Sequence, residues 1–230
     1  MRMPPPGNGF GRRRMLAGLL GLALALGLAY GAPIGDVNAS QPAAPLRILA
    51  LGDSLTAGYN LPQGAGFPAQ LEAALTARGH AVEVINGGVS GDTSAGGLSR
   101  LAWQLGDTPP DAAIVELGAN DGLRGLDPGR TEANLSQLIA RLKGTGVAVL
   151  LAGMMAPPNL GPEYGEAFNG LYPRLADQHE VLLYPFFLEG VAAQPELLQP
   201  DGLHPTEEGV AEIVRRMLPK VEELIARATP

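Results

Sequence analysis

The sequence predicts an α/β fold of three layers, α/β/α, around a central five-stranded parallel sheet. Two observations carry this expectation. Short apolar runs of strand length alternate with segments whose apolar residues recur at helical spacing. Such alternation implies right-handed strand–helix–strand crossovers and a parallel sheet covered on both faces. The length, 230 residues, suits one domain, and 46% hydrophobic against 17% charged residues is enough to build a buried core.

Arg47–Leu51 (RILAL) reads as the first strand, ending at Gly52. Phe67, Leu71, Ala74 and Leu75 then recur at helical spacing until Arg78-Gly79 closes the helix. Ala81–Ile85 is the second strand and Leu98–Leu105 the second helix. Ala112–Leu117 follows Pro109-Pro110 as the third strand. Leu135, Leu138, Ile139 and Leu142 mark a helix ended by Gly144, and Val147–Ala152 is the fourth strand. Tyr164–Gln178 is helical in pattern, with Pro173 expected to kink or divide it. Val181–Tyr184 is a short fifth strand. In the last helix Val210, Ile213, Val214, Met217, Leu218, Val221, Leu224 and Ile225 fall on one face. Pro205 and Thr206 open that helix, acids fill its first turn, and Pro219 is expected to kink or break it.

The N-terminus is a separate object. Arg12-Arg13-Arg14 precedes an uncharged run from Met15 to Tyr30, followed by the small residues Gly31 and Ala32. This is the order of a signal peptide over residues 1–31, cleaved near Gly31 or after Ala39. The run is short for a membrane span, which needs ~20 apolar residues; an uncleaved anchor is the alternative. The arginines also resemble a twin-arginine export signal. Residues 32–45 hold three prolines and no periodicity, and read as a linker to a domain at 46–230. The expected location is therefore the periplasm or the medium.

The formal net charge is −7, and removing residues 1–31 takes four arginines and no acid. A nucleic-acid footprint would need a basic patch, so such a partner is not expected. Cysteine is absent, which excludes disulfides and thiolate chemistry. With three scattered histidines and no cysteine, a catalytic zinc site is hard to assemble. A phosphate-binding loop would need a Gly-Lys-Ser/Thr step, and the only lysines are Lys143 and Lys220.

In a parallel sheet, ligands bind at the carboxyl ends of the strands. The notable residues stand there. Ser54, in Gly52-Asp53-Ser54-Leu55, follows the first strand, where its hydroxyl can stand above the sheet and its N–H can face an anion. Taken alone, the commoner fate of a serine after a strand is to cap a helix. His204, just before the last helix, is the only histidine at a strand end with an acid, Asp201, at turn spacing. A serine hydroxyl needs such a base, and the base needs a carboxylate to hold its tautomer. Alternatively, Asp201 caps a turn and His204 merely precedes Pro205. Asn86–Thr93, rich in glycine, and Gly118-Ala119-Asn120-Asp121 follow the second and third strands. Either can aim N–H groups at an oxyanion, or be an ordinary turn.

These blocks resemble the SGNH (GDSL-type) hydrolase family over most of Leu46–Ile225. The matching strings are Gly52-Asp53-Ser54-Leu55, the glycine at Gly91, Gly118-Ala119-Asn120-Asp121 and Asp201-Gly202-Leu203-His204. Leu51–Tyr59, Ser90–Ser94 and Glu116–Gly125 further resemble the bacterial arylesterase, thioesterase and lysophospholipase branch. The second block reads Asn-Gly-Gly-Val-Ser at 86–90 where other members often have Asn-Ala. The resemblance implies a flavodoxin-like SGNH hydrolase fold, with Ser54 as nucleophile, His204 as base and Asp201 orienting it. It also implies an oxyanion hole made of the Ser54 N–H, the Gly91 N–H and the Asn120 amide.

The expected substrate is a small ester or thioester with an acyl chain, acted on by a monomer without cofactor or metal. Leu123 and Leu126 lie in a glycine-bearing loop after Asn120. Met154, Met155 and Pro157 end the fourth strand. Leu123, Met154 and Pro157 are therefore the expected wall of an acyl groove, although methionines there can equally fill core. A serine acyltransferase or deacetylase shares the same acyl-enzyme. A non-catalytic lipid- or glycan-binding module shares only the fold.

Overall fold

The structure, a computed structural model, describes residues 44–229. The expected signal peptide and all but the last two residues of the expected linker lie outside them. Five parallel strands form one sheet in the order β2-β1-β3-β4-β5: β1 (Leu46–Gly52), β2 (Val82–Gly88), β3 (Ala112–Glu116), β4 (Ala148–Ala152) and β5 (Leu182–Tyr184). The unbroken apolar runs of β1, β3 and β4 belong to strands covered on both faces, and Ile48–Leu51 and Ala112–Val115 are all buried. At the sheet edge β2 instead exposes Glu83 and Asn86, as an edge strand should.

The helices are α1 (Ser54–Ala57), α2 (Phe67–Ala77), α3 (Ser94–Leu105), α4 (Ala119–Leu123), α5 (Pro128–Gly144), α6 (Pro162–His179) and α7 (Glu207–Ala228). One group packs α2 against α7 and the other packs α3, α5 and α6, giving the outer layers. The fold is the expected three-layer α/β/α sandwich. The apolar stripe of α7 from Val210 to Ile225 is buried. Each such side chain stabilises by ~1.5–3 kcal/mol, which anchors α7 and the loop that precedes it.

Of the two outcomes expected at the internal prolines, a break does not occur: neither Pro173 nor Pro219 divides its helix. A proline frees the carbonyl four residues earlier. Those are the carbonyls of Asn169 and Arg215, and both residues, like both prolines, stand on exposed faces where solvent can reach a freed carbonyl. The start of α3 also differs. Thr93 caps it by accepting from Gly96 N–H at 3.3 Å, ahead of the expected Leu98. Gly96 and Gly97 offer no apolar periodicity, which hid the first turn.

The strand order reverses between β1 and β3. The register pairs Gly52 with Gly88 on one side and with Glu116 on the other, so three strands end level. Their following loops meet at the switch point where parallel sheets bind ligands.

Candidate active site

Ser54 opens α1 where β1 ends. Asp53, not Ser54, caps this helix, its Oδ1 accepting from Leu55 N–H at 3.0 Å. The serine hydroxyl is thereby free, and His204 Nε2 stands 2.9 Å from Ser54 Oγ. The turn is tight enough to require glycine at 52. A Cβ there would approach Glu116 Oε2 to 2.6 Å and collide with Thr56.

Beneath the serine lie two buried carboxyls. Glu116 Oε2 accepts from Thr56 Oγ1 at 2.7 Å and from Asp53 N–H at 3.4 Å, while its Oε1 is buried without a protein partner. Burial, with the Asp53 charge beside it, pushes the Glu116 carboxyl well above its ordinary range. Burial also raises Asp53 to about 6, against the hydrogen bonds from Leu55 and Asn120 that lower it. An acid whose folded pKa is raised lends stability below its unfolded pKa and loses it as pH rises through the folded one. Glu116→Gln, which cannot ionise, is therefore expected to melt higher relative to wild type at pH 8. The difference should shrink as pH falls toward 4.5. Melting curves across that range check this; a difference that grows on acidification would mean Glu116 is held ionised.

His204 and Asp201 sit on the loop between Leu198 and Pro205, which closes on itself through a bridge between those two residues. Asp201 serves in both ways the sequence allows. Its Oδ1 caps the turn, accepting from Leu203 N–H at 2.9 Å and His204 N–H at 3.0 Å. Its Oδ2 lies 2.7 Å from His204 Nδ1. These contacts, led by the His204 and Leu203 backbone N–H groups, hold the Asp201 carboxyl down to about 2. The other histidines are engaged elsewhere: His80 with Glu222 at 3.3 Å and His179 with Ser136 Oγ at 2.8 Å.

Gln199 is a site residue that sequence reasoning missed. Its side-chain amide donates to Tyr59 O and Pro205 O, both at 2.9 Å, and accepts from Asn60 Nδ2 at 3.1 Å. Its backbone N–H donates to His204 O at 2.7 Å. It thus ties the His204 loop to the chain that follows Ser54. Tyr59 adds a ring contact, its centroid 4.5 Å from that of His204. The local signal was faint, because one polar side chain before Pro200 looks like ordinary loop.

Among the described residues, neither Ser54 N–H nor Gly91 N–H has a protein acceptor. Gly91 has φ +84°, a conformation that suits glycine. Asn120 lies in the first turn of α4, which is anchored by the buried Asp121 carboxylate. That group accepts from Ser94 N–H at 2.8 Å, Ser94 Oγ at 2.6 Å and Thr131 Oγ1 at 3.1 Å. The Asn120 amide itself donates to Asp53 Oδ2 and Asp92 O, both at 2.9 Å. Both of its hydrogens are therefore engaged, and one must be shared or turned to reach an oxyanion.

Beside Ser54 and His204 opens a cleft of about 370 Å³. Leu123, Met154 and Pro157 all line it. So do Met155, Leu188 and Leu203, of which Met155 and Leu203 are largely exposed. Leu188 follows the carboxyl end of β5 and could have been found by the strand-end rule. Asp53 and His204 are the ionisable residues on the lining, so the walls suit an apolar chain. Among the described residues no helix is long and apolar enough to cross a membrane, and no group of three or more His, Cys, Asp or Glu is placed to hold a metal ion.

Three comparisons bear on this geometry. A model of the GDSL-like lipase/acylhydrolase family matches residues 50–211. An arylesterase of Vibrio mimicus is 45% identical over 177 residues, 76% of this chain and 88% of that protein. The thioesterase 1/protease 1/lysophospholipase L1 of Escherichia coli K12 is 40% identical over 185 residues, 80% of this chain and 88% of that protein. Among solved structures, a psychrotrophic esterase EstA from Pseudoalteromonas sp., inhibited by monoethylphosphonate, superposes with TM-score 0.75. It is 32% identical and covers 79% of this chain and 99% of its own.

Proposed function

Since the chain belongs to the GDSL-like lipase/acylhydrolase family and is a carboxylic ester hydrolase, we propose that Ser54, His204 and Asp201 are its catalytic residues. One observation carries the assignment: the unbroken contact from Ser54 Oγ to His204 Nε2 at 2.9 Å and from His204 Nδ1 to Asp201 at 2.7 Å. Ser54 Oγ attacks the acyl carbonyl as its proton passes to His204 Nε2. The Asp201 carboxylate fixes the tautomer and stabilises the imidazolium. The Ser54 and Gly91 N–H groups and the Asn120 amide face the tetrahedral oxyanion. His204 then protonates the departing alkoxide or thiolate. Water, deprotonated by His204, releases the acid from Ser54 and returns the enzyme.

Asn120→Ala is expected to lower kcat by ~10², the usual effect of removing one oxyanion donor, with KM nearly unchanged. Initial rates on an activated ester check this. A raised KM at constant kcat would make Asn120 a substrate-binding residue.

The proposed substrate is an ester or thioester whose acyl chain lies along Leu123, Met154 and Pro157. The names of the Vibrio and Escherichia relatives support aryl esters, thioesters and lysophospholipids as leaving-group classes. A kcat/KM panel of p-nitrophenyl esters of increasing chain length, an acyl-CoA and a lysophospholipid tests this. The apolar walls predict a rise with chain length until the cleft is filled, and a flat series would remove the groove assignment. The positively charged, then apolar, then small-residue order of residues 1–31 supports export with cleavage of that segment. N-terminal sequencing of the exported enzyme is expected to start between Ala32 and Ser40, and recovery of Met1 would contradict it.

A further inference from the structure

We propose that Arg100 is a positioning residue that locks the Gly91 loop onto the nucleophile turn and so keeps the oxyanion donors in register with Ser54. The proposal rests on the catalytic reading above and adds to it a residue outside the cleft. Arg100 stands in α3, and side chains of a helix lean back toward its start. Its side chain, only 15% exposed, reaches the end of β1 and the loop after β2 at once. Nε donates to Asp92 Oδ2 at 2.5 Å and Nη2 donates to Gly52 O at 2.8 Å.

Each of those contacts leads directly to the site. Gly52 O, at the end of β1, also accepts from Val89 N–H at 3.0 Å, so the loop after β2 and the guanidinium converge on one carbonyl. Two residues beyond that carbonyl is Ser54. Asp92 follows Gly91, and its own carbonyl accepts from Asn120 Nδ2 at 2.9 Å. One planar cation thus joins the nucleophile turn directly to the segment that carries one oxyanion donor and aims another, a segment also held by Val89 N–H on Gly52 O and by Arg124 Nη2 on Gly91 O at 2.9 Å. The third nitrogen, Nη1, is buried without a protein partner. An unsatisfied donor of this kind weakens a purely stabilising ion pair. The fork is better explained by what its other two nitrogens hold apart and together. Lysine cannot replace it, because a single ammonium lacks the two-pronged geometry.

Misplacing a reacting group by about 1 Å can lower rate by ~10². Arg100→Met, which keeps an apolar stem, is therefore expected to lower kcat by ~10–10² with KM within about threefold of wild type. The Ki of a boronic acid, which forms a tetrahedral adduct on the serine, should rise by the factor by which kcat/KM falls, as expected of a transition-state mimic. Arg100→Lys should recover little, whereas added guanidinium should raise kcat of Arg100→Ala. Circular dichroism and a melting curve establish that each variant is folded. If Arg100→Met does not fold, Asp92→Asn breaks the same ion pair from its other side and carries the same expectation. A folded variant with kcat within threefold of wild type, or with unchanged boronate affinity, overturns the proposal. Ser54→Ala run alongside separates the two failures. If it is inactive while Arg100→Met is fully active, only the positioning role falls; if it retains activity, the catalytic reading falls and this proposal with it.

Discussion

Ser54→Ala is expected to lose ester hydrolysis by ~10⁴ or more while folding as wild type does, the scale of loss found when a triad serine is removed. Ser54 Oγ has one side-chain partner, His204 Nε2, and the helix it opens is capped by Asp53 rather than by the serine. Removing the hydroxyl therefore takes away the proposed nucleophile and leaves the turn intact. Some catalysis over water should survive, because the backbone donors and the cleft remain. Rates on a p-nitrophenyl ester, with melting temperatures in parallel, check both halves. A folded Ser54→Ala enzyme with more than a few percent of wild-type kcat would place the nucleophile elsewhere.

Asp201→Asn should lower kcat by ~10²–10³ with KM little changed. The two oxygens of Asp201 do different things, which makes this substitution informative. An asparagine Oδ1 can still accept from the N–H groups of Leu203 and His204, so the turn survives. Its amide nitrogen would face His204 Nδ1, donor against donor, and the imidazole would take the wrong tautomer or rotate away from Ser54. Because its carboxyl is held down to about 2, Asp201 is ionised across any ordinary assay range. Its contribution to stability is present above the unfolded carboxylate pKa and is lost only as pH falls through about 2. At neutral pH, where that contribution is present in full, the substitution should also lower the melting temperature, modestly because the Asp201 side chain is 38% exposed, while its larger effect falls on rate. Wild-type kcat in the folded variant would leave a Ser54–His204 dyad.

The fold and the residues it gathers at the strand ends were legible in the sequence for physical reasons. Strands buried on both faces write themselves as unbroken apolar runs, and α7 writes its buried stripe at helical spacing. Ser54, Asn120 and His204 stand out because polar residues after strands have a special place in a parallel sheet. Less was legible where function is distributed across loops. Nothing local to Gln199 tells that its amide joins Tyr59 to Pro205, since those partners lie far apart in the chain. Glu116 reads as the polar end of β3, and only the register that sets it beside Gly52 reveals a carboxyl under the serine. Asp53 looked like part of a motif, and the fold makes it the cap that frees Ser54. Whether Pro173 and Pro219 kink or break their helices was left open by the sequence, and in the fold neither breaks one.

The most direct test is covalent. Wild-type enzyme treated with a fluorophosphonate should gain one adduct by intact mass, mapped to the peptide that holds Ser54, with activity lost in proportion. Ser54→Ala should gain none, and Asp201→Asn should react more slowly. An adduct on another residue, or full hydrolysis by fully labelled protein, would contradict the account.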